Sequence, residues 1–177
     1  MIDCLVVSRD SQIGAQIIKR LNGVGTTRRD HGDKLYFDLR GHAPLPPAKL
    51  TFFCSGINGF KQCAADPMAA YNVNVEGTVR AANWQVEQGG RVVLLSSCAA
   101  ETHPYTVYGA YKLQTEKGFL EFGDRASIFR FGPVKFPGRV VYSNHDYHPI
   151  EVDDLITAVT HQFMPGLHAV YNTPKAA

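Results

Sequence analysis

The sequence predicts an α/β domain of the doubly wound type, a parallel sheet with helices on both faces. Three observations predict it. Short β-branched apolar runs alternate with longer segments of helical period. The runs are apolar at consecutive positions, as strands buried on both faces require. Strand, helix and strand also recur at the spacing of right-handed crossovers.

Each element follows from local pattern. Ile2–Ser8 (IDCLVVS) reads as the first strand, and Gln12–Leu21 as a helix with Ile13, Ile17, Ile18 and Leu21 on one face. Asn22-Gly23 supplies a left-handed stop. Val24–Arg28 and Leu35–Leu39 read as the second and third strands. A proline-rich connector, HAPLPP, leads to a fourth at Leu50–Cys54, and Gly56–Asp66 reads as a loop. Pro67, behind Asp66, opens a long helix to about Gln88, which Gly89-Gly90 ends. Arg91–Ser97 (RVVLLSS) is the fifth strand, Tyr108–Phe122 a helix and Ser127–Phe131 a sixth strand. After Pro133 the pattern thins to a loop-like FPGRVVYSNHDYHP, a helix over Val152–Phe163 and a short strand at Ala169–Tyr171. The reading is one domain over 1–177, with 134–177 as a reduced appendage.

Composition narrows the function classes. At 177 residues, 45% hydrophobic and 19% charged, the chain can bury a core without metal or disulfide support. A net charge of +2 without a basic, aromatic-interleaved stripe argues against a nucleic-acid partner. No apolar run approaches the ~20 residues of a membrane span. MIDCLVVSRD, with Asp3 ahead of a short apolar run, reads as a strand and not as a leader. Cys4, Cys54, Cys63 and Cys98 form no CxxC pair, so free buried thiols in a reducing cytoplasm are expected.

The turn after the first strand is Ser8-Arg9-Asp10-Ser11-Gln12-Ile13-Gly14. Dinucleotide-binding folds place three glycines here, for the tight turn, for approach of the pyrophosphate and for helix–strand packing. Only the last survives, as Gly14; Ser8 and Ser11 replace the others. A Cβ at Ser11 crowds the phosphate position and Asp10 adds like charge. A serine hydroxyl, Arg9 and the helix N-terminus favour an anion. Weakened or rearranged binding is the expectation. Arg28-Arg29 ends the second strand, where a carboxylate suits NAD and an arginine suits the 2′-phosphate of NADP; NADP is slightly favoured.

Tyr108-Gly109-Ala110-Tyr111-Lys112, preceded by strand-end Ser96-Ser97, carries the chemistry. Tyr108 and Lys112, four apart, project from one helix face. A phenol titrates near ~10, so acid–base work near neutrality needs its phenolate stabilised, and a neighbouring ammonium does that. A serine at the end of the fifth strand can then hydrogen-bond the substrate's reacting oxygen.

At these residues the chain resembles the extended short-chain dehydrogenase/reductase superfamily, the branch of NAD-dependent epimerases/dehydratases and dTDP-4-dehydrorhamnose reductases with a Rossmann-type fold. Phe53-Cys54-Ser55-Gly56 resembles its fourth-strand element beside the adenosine, and Asp38-Leu39 its adenine-contacting pair. Asp66-Pro67 with Asn72-Val73-Asn74-Val75-Glu76-Gly77-Thr78 resembles its "DP…NVxGT" helix. Phe131-Gly132-Pro133-Val134, behind Arg130, resembles the element near the nicotinamide, and Pro149–Val159 the late "hVDDLAxA" segment. The resemblance implies an oxidoreductase or epimerase acting on a carbonyl or hydroxyl carbon of a small or sugar-derived substrate. Tyr108 would be its acid–base group, Lys112 the partner and ribose ligand, and Ser97 the carbonyl-polarising hydroxyl, with Ser96 as fallback. The cofactor-side residues would be Ser8, Arg9, Ser11, Gln12, Ile13, Gly14, Arg28, Arg29, Asp38, Leu39, Cys54, Ser55, Gly56, the mostly structural Asn74, Lys112, Gly132 and Pro133. It also implies a homodimer through the helices around Asn74–Trp84 and Tyr108–Phe119.

Two departures stand beside the resemblance: the degraded glycine turn, and a substrate lobe reduced to about fifteen residues between Gly132-Pro133 and Ile150. A smaller substrate, or one held partly by a partner chain, would follow. Further candidates read more simply as ordinary residues. His145, Asp146 and His148 read as a solvated loop with no metal expected, His103 as a loop histidine, Arg139 as a surface arginine and Trp84 as packing. The rival to an enzyme is a non-catalytic dinucleotide sensor or partner subunit of the same fold; a third class would bind another nucleotide or anion at the first helix N-terminus.

Overall fold

The computed structural model describes residues 1–29, 35–138, 149–161 and 163–170. Its strands are β1 (Ile2–Val7), β2 (Val24–Gly25), β3 (Ala48–Phe53), β4 (Arg91–Leu95), β5 (Ala126–Phe131), β6 (Val134–Lys135), β7 (Ile150–Glu151) and β8 (Gly166–Val170). Its α-helices are α1 (Gln12–Leu21), α2 (Phe60–Ala65), α3 (Pro67–Tyr71), α4 (Thr78–Glu87), α5 (Ala99–Thr102), α6 (Val107–Leu120) and α7 (Val152–Thr160). Six strands form one sheet in the order β2-β1-β3-β4-β5-β8, every pairing parallel. This is the doubly wound sheet the sequence predicts.

The consecutive apolar positions of the strands divide between two cores because side chains alternate across a sheet. Leu5, Val7, Phe53, Leu94 and Ile128 pack with Ala81, Ala82 and Phe119 from α4 and α6. Cys4, Val6, Phe52, Val93 and Phe129 pack with Ile17 of α1 and Leu155, Ile156 and Val159 of α7. Gly14 is required by this packing: a Cβ there would lie 2.5 Å from the Ser8 carbonyl oxygen and 2.7 Å from Ser11 Oγ. No helix among the described residues is long and apolar enough to cross a membrane.

Several elements differ from expectation. Leu35–Leu39 does not form a strand; a single bridge joins Thr27 and Tyr36, and the chain then turns, with Asp38 Oδ1 accepting from Arg40 N–H at 3.0 Å and Gly41 N–H donating to Asp38 O at 3.0 Å. Within the expected loop Gly56–Asp66, α2 forms from the good helix formers Lys61–Ala65 after Gly59, whose φ of +94° suits glycine. The long helix from Pro67 is interrupted by a π-helical turn at Asn72–Gly77. That turn leaves carbonyls to side-chain hydroxyls: Thr78 Oγ1 donates to Val73 O at 2.8 Å and Thr115 Oγ1 to Asn74 O at 2.7 Å. A short α5 and the separate parallel pair β6–β7 were not expected. The last strand begins earlier, at Gly166, and Tyr171 lies outside the described residues, as do Arg139, His145, Asp146 and His148.

Candidate functional site

The carboxyl ends of β1, β3, β4 and β5 border two clefts that meet at Ser55. The chain winds outward from β1 to β2 and returns to β3 on the other side of β1. Diverging connections at such a switch point open a crevice where ligands of open α/β sheets bind. The outer cleft, about 400 Å³, lies over β1, β2 and the Phe37–Arg40 turn. The inner one, about 300 Å³, lies between the α1 N-terminus, the ends of β3 and β4, and α6.

Ser97, Tyr108 and Lys112 all line the inner cleft, with Ser96, Cys54 and Gly132. Thr106 caps α6, its Oγ1 accepting from Gly109 N–H at 3.1 Å, so Tyr108 stands in the first turn. Gly109 lets that turn lie against α5, since a Cβ there would approach Ala99 O to 2.5 Å. One turn on, Lys112 is buried; its Nζ donates to Leu95 O at 3.4 Å and lies 5.7 Å from the centroid of the Tyr108 ring. Ser97 Oγ accepts from Ala99 N–H at 3.2 Å, which leaves its proton for another acceptor. Burial pushes the Cys54 thiol well above its usual range, Cys4 adding to the shift and the charge of Lys112 opposing it.

Ser96 is differently engaged. Its hydroxyl donates to Glu116 Oε1 at 2.5 Å, and Glu116 is held by Arg130 through Nε at 3.0 and 3.1 Å and Nη2 at 2.7 Å. Arg130 Nη1 reaches Glu101 Oε2 at 3.3 Å. Glu116 was absent from the sequence candidates, although Tyr108, Lys112 and Glu116 at successive spacings of four share one face of α6. This network braces the end of β4 behind Ser97.

The first turn keeps the shape that a glycine would give it. Ser8 has φ +78°, a left-handed value costly for serine, and its N–H donates to Thr26 Oγ1 at 3.1 Å. Ser11 caps α1: its Oγ accepts from Gly14 N–H at 2.9 Å and donates to Ser8 O at 3.0 Å. The hydroxyl expected to meet a phosphate is therefore engaged within the turn. Gln12 and Ile13 line the inner cleft beside it. Asp10 is fixed by Thr27, whose Oγ1 donates to its Oδ2 at 2.5 Å.

Arg28, Arg29 and Arg40 line the outer cleft with Ser8, Asp38 and Leu39. Hydrogen bonding to Arg40, 2.5 Å away through Nη2, is the main cause that holds the Asp38 carboxyl below its usual range. Arg40 was not anticipated, because the turn that brings it back toward β2 is not visible in hydrophobic period. Ser55 and Gly56 form the shared wall, and Ser55 Oγ is buried with no hydrogen-bond partner among the described residues. Four expected residues line neither cleft. Arg9 joins β1 to β2 through its N–H, 2.8 Å from Thr26 O, and Gly14 is packed under α1. Asn74 lies behind the wall, clasping Ile57 by its N–H at 2.7 Å and its carbonyl at 2.8 Å. Pro133 lines a third cleft, with Ser97 and Tyr108.

No protein-family model matches the chain, and no curated protein does. Solved structures do match in fold. A hypothetical dTDP-4-dehydrorhamnose reductase from Sulfolobus tokodaii superposes with a TM-score of 0.78 at 15% identity, covering 99% of this chain and 78% of that one. MoeE5, solved with UDP-glucuronic acid and NAD, gives 0.79 at 21% identity over 99% and 77%. A dTDP-4-dehydrorhamnose reductase from Bacillus anthracis, solved with NADP, gives 0.70 at 19% over 98% and 76%. The chain shares the Rossmann-type fold of these structures.

Within this Rossmann-type fold, the residues present fit a nicotinamide dinucleotide. Ser55, whose buried hydroxyl has no partner among the described residues, lines both clefts where they join. The arginines of the outer cleft suit phosphate. Gln12, Ile13, Ser55 and Gly56 would hold the dinucleotide along the join, and Lys112 its nicotinamide end.

Proposed function

We propose that the chain is an NADP(H)-dependent oxidoreductase or epimerase-like enzyme acting at a carbonyl or carbinol carbon. One observation carries the reading: Ser97, Tyr108 and Lys112 meet in a cleft continuous, through Ser55, with a cleft walled by three arginines. The neighbours solved with NAD and with NADP support a nicotinamide dinucleotide. Arg28 and Arg29 favour a cofactor bearing a 2′-phosphate.

When bound, the dinucleotide supplies or accepts hydride. The chain's own residues do the rest. Ser97 Oγ, accepting from Ala99 N–H, turns its proton toward the substrate oxygen. Tyr108 gives that oxygen a proton in reduction and takes one in oxidation. The Lys112 ammonium, held against Leu95 O, stabilises the phenolate between turnovers.

Titration of the chain with NADPH and NADH tests the reading. NADPH is expected to bind more tightly, and Tyr108→Phe to lower kcat by ~10²–10⁴-fold. Full activity in Tyr108→Phe removes Tyr108 from the role assigned to it. A second reading, a dinucleotide sensor without turnover, is favoured by the self-capped Ser11 turn. Binding without oxidation of NADPH by any carbonyl compound would support it. A homodimer through α4 and α6 belongs to the same proposal, and elution as a monomer at micromolar concentration removes it.

A further inference from the structure

The third cleft, about 330 Å³, shares Ser97, Tyr108 and Gly132 with the inner one. Aromatic rings wall it. Phe60 meets Tyr108 edge-on, ring centroids 5.6 Å apart at 85°, and His103 at 5.3 Å and 54°. His103 Nδ1 lies 2.6 Å from Thr102 Oγ1, which fixes the imidazole, and Thr102 Oγ1 is itself held by Cys98 O at 3.1 Å. Phe60 keeps 37% of its surface exposed, so a large apolar ring is presented to whatever enters.

The polar side chains of this cleft are hydroxyls, the Cys98 thiol and an imidazole; no carboxylate, lysine or arginine lines it among the described residues. A diphosphate leaving water needs cationic or multiple N–H partners to offset its desolvation. Flat apolar rings instead recognise flat apolar faces. The volume lies at the lower end of the ~300–1,000 Å³ usual for small-molecule sites.

We propose that this cleft receives the reacting molecule, a compact uncharged aldehyde or ketone whose flat face packs on Phe60, and not a nucleotide-linked sugar. The inference rests on the oxidoreductase reading above. In reduction the carbonyl carbon takes a hydride, two electrons coming from NADPH as it becomes NADP⁺. The C=O π pair moves to oxygen, which takes the Tyr108 proton, and water returns a proton to Tyr108. Ser97 stands at the boundary of the two clefts, where the oxygen would lie within its reach.

Benzaldehyde and acetophenone serve as uncharged probes, UDP-glucose and dTDP-glucose as charged ones. Saturation-transfer NMR on the full chain reads binding, and NADPH oxidation reads turnover. Both uncharged probes are expected to bind and be reduced, and the nucleotide sugars to give no signal at this cleft. Phe60→Leu should raise KM for benzaldehyde about five- to tenfold, and Phe60→Tyr, which keeps the ring, should restore it. Preferential binding of the nucleotide sugars, or a KM unmoved by Phe60→Leu, overturns the inference. NADPH binding with no benzaldehyde signal overturns it alone and leaves the oxidoreductase reading standing. Benzaldehyde binding with no NADPH binding overturns that reading, and with it the assignment of benzaldehyde as reactant.

Discussion

Glu116 is 1% exposed, and its carboxylate receives both the Ser96 hydroxyl and a two-pronged Arg130 guanidinium. Removing one member of such a buried pair leaves an uncompensated charge, typically at ~3–5 kcal/mol. Glu116→Ala is therefore expected to lower the unfolding free energy read from urea titration by up to that much, with Arg130 left to the more exposed Glu101. The Glu116→Leu/Arg130→Met double variant should recover much of the loss, because replacing both charges removes their desolvation. A loss below ~0.5 kcal/mol in Glu116→Ala would place the carboxylate in solvent-like surroundings. This residue shows where sequence reading stopped. Its spacing from Tyr108 and Lys112 was visible, but a glutamate on a helix is ordinarily solvated, and only the placement of Arg130 on β5 shows that this one is paired. Ser97, Tyr108 and Lys112 were legible because a strand end and a four-residue spacing suffice to bring them together.

The strands were legible for a similar reason. The buried positions of β1, β3, β4 and β5 are apolar apart from Thr51 and Ser127, and most run consecutively, as strands covered on both faces require. The π-helical turn at Asn72–Gly77 was not, since its register is set by distant partners and not by its own composition. Thr115 on α6 is one of them, its Oγ1 satisfying the Asn74 carbonyl while Asn74 holds Ile57 behind Ser55 and Gly56. Thr115→Val keeps the shape and removes the donor, so it should cost ~1–3 kcal/mol in urea unfolding. The same variant is expected to speed amide exchange at Ile57, whose N–H is held by Asn74. Unchanged exchange there would show that the clasp stands without α6. In the first turn of α1, Gly14→Ala forces a Cβ onto Ser8 O and should cost ~1–3 kcal/mol, read the same way.

At the scale of the whole molecule, the winding order decides where chemistry can occur, and the buried thiols make stability fall in alkaline solution. Burial pushes the Cys4 thiol up to about 11 and also raises Cys54 and Cys63, which sit on β1, at the end of β3 and on α2. Unfolded thiols titrate near ~8.5. A raised pKa in the fold means that the folded state keeps protons the unfolded chain gives up. The stabilisation is fully present below pH ~8.5 and is lost as pH rises through the folded values. The urea midpoint should thus be level from about pH 7 to 8 and fall steadily from about pH 8.5 to 9.5. Cys4→Ala removes one of the three thiols from the centre of the sheet, so its midpoint should start lower and decline less steeply across that interval. Equal slopes in the two proteins would mean that Cys4 ionises as readily folded as unfolded, contrary to its burial in the core that also holds Val6, Phe52 and Ile17.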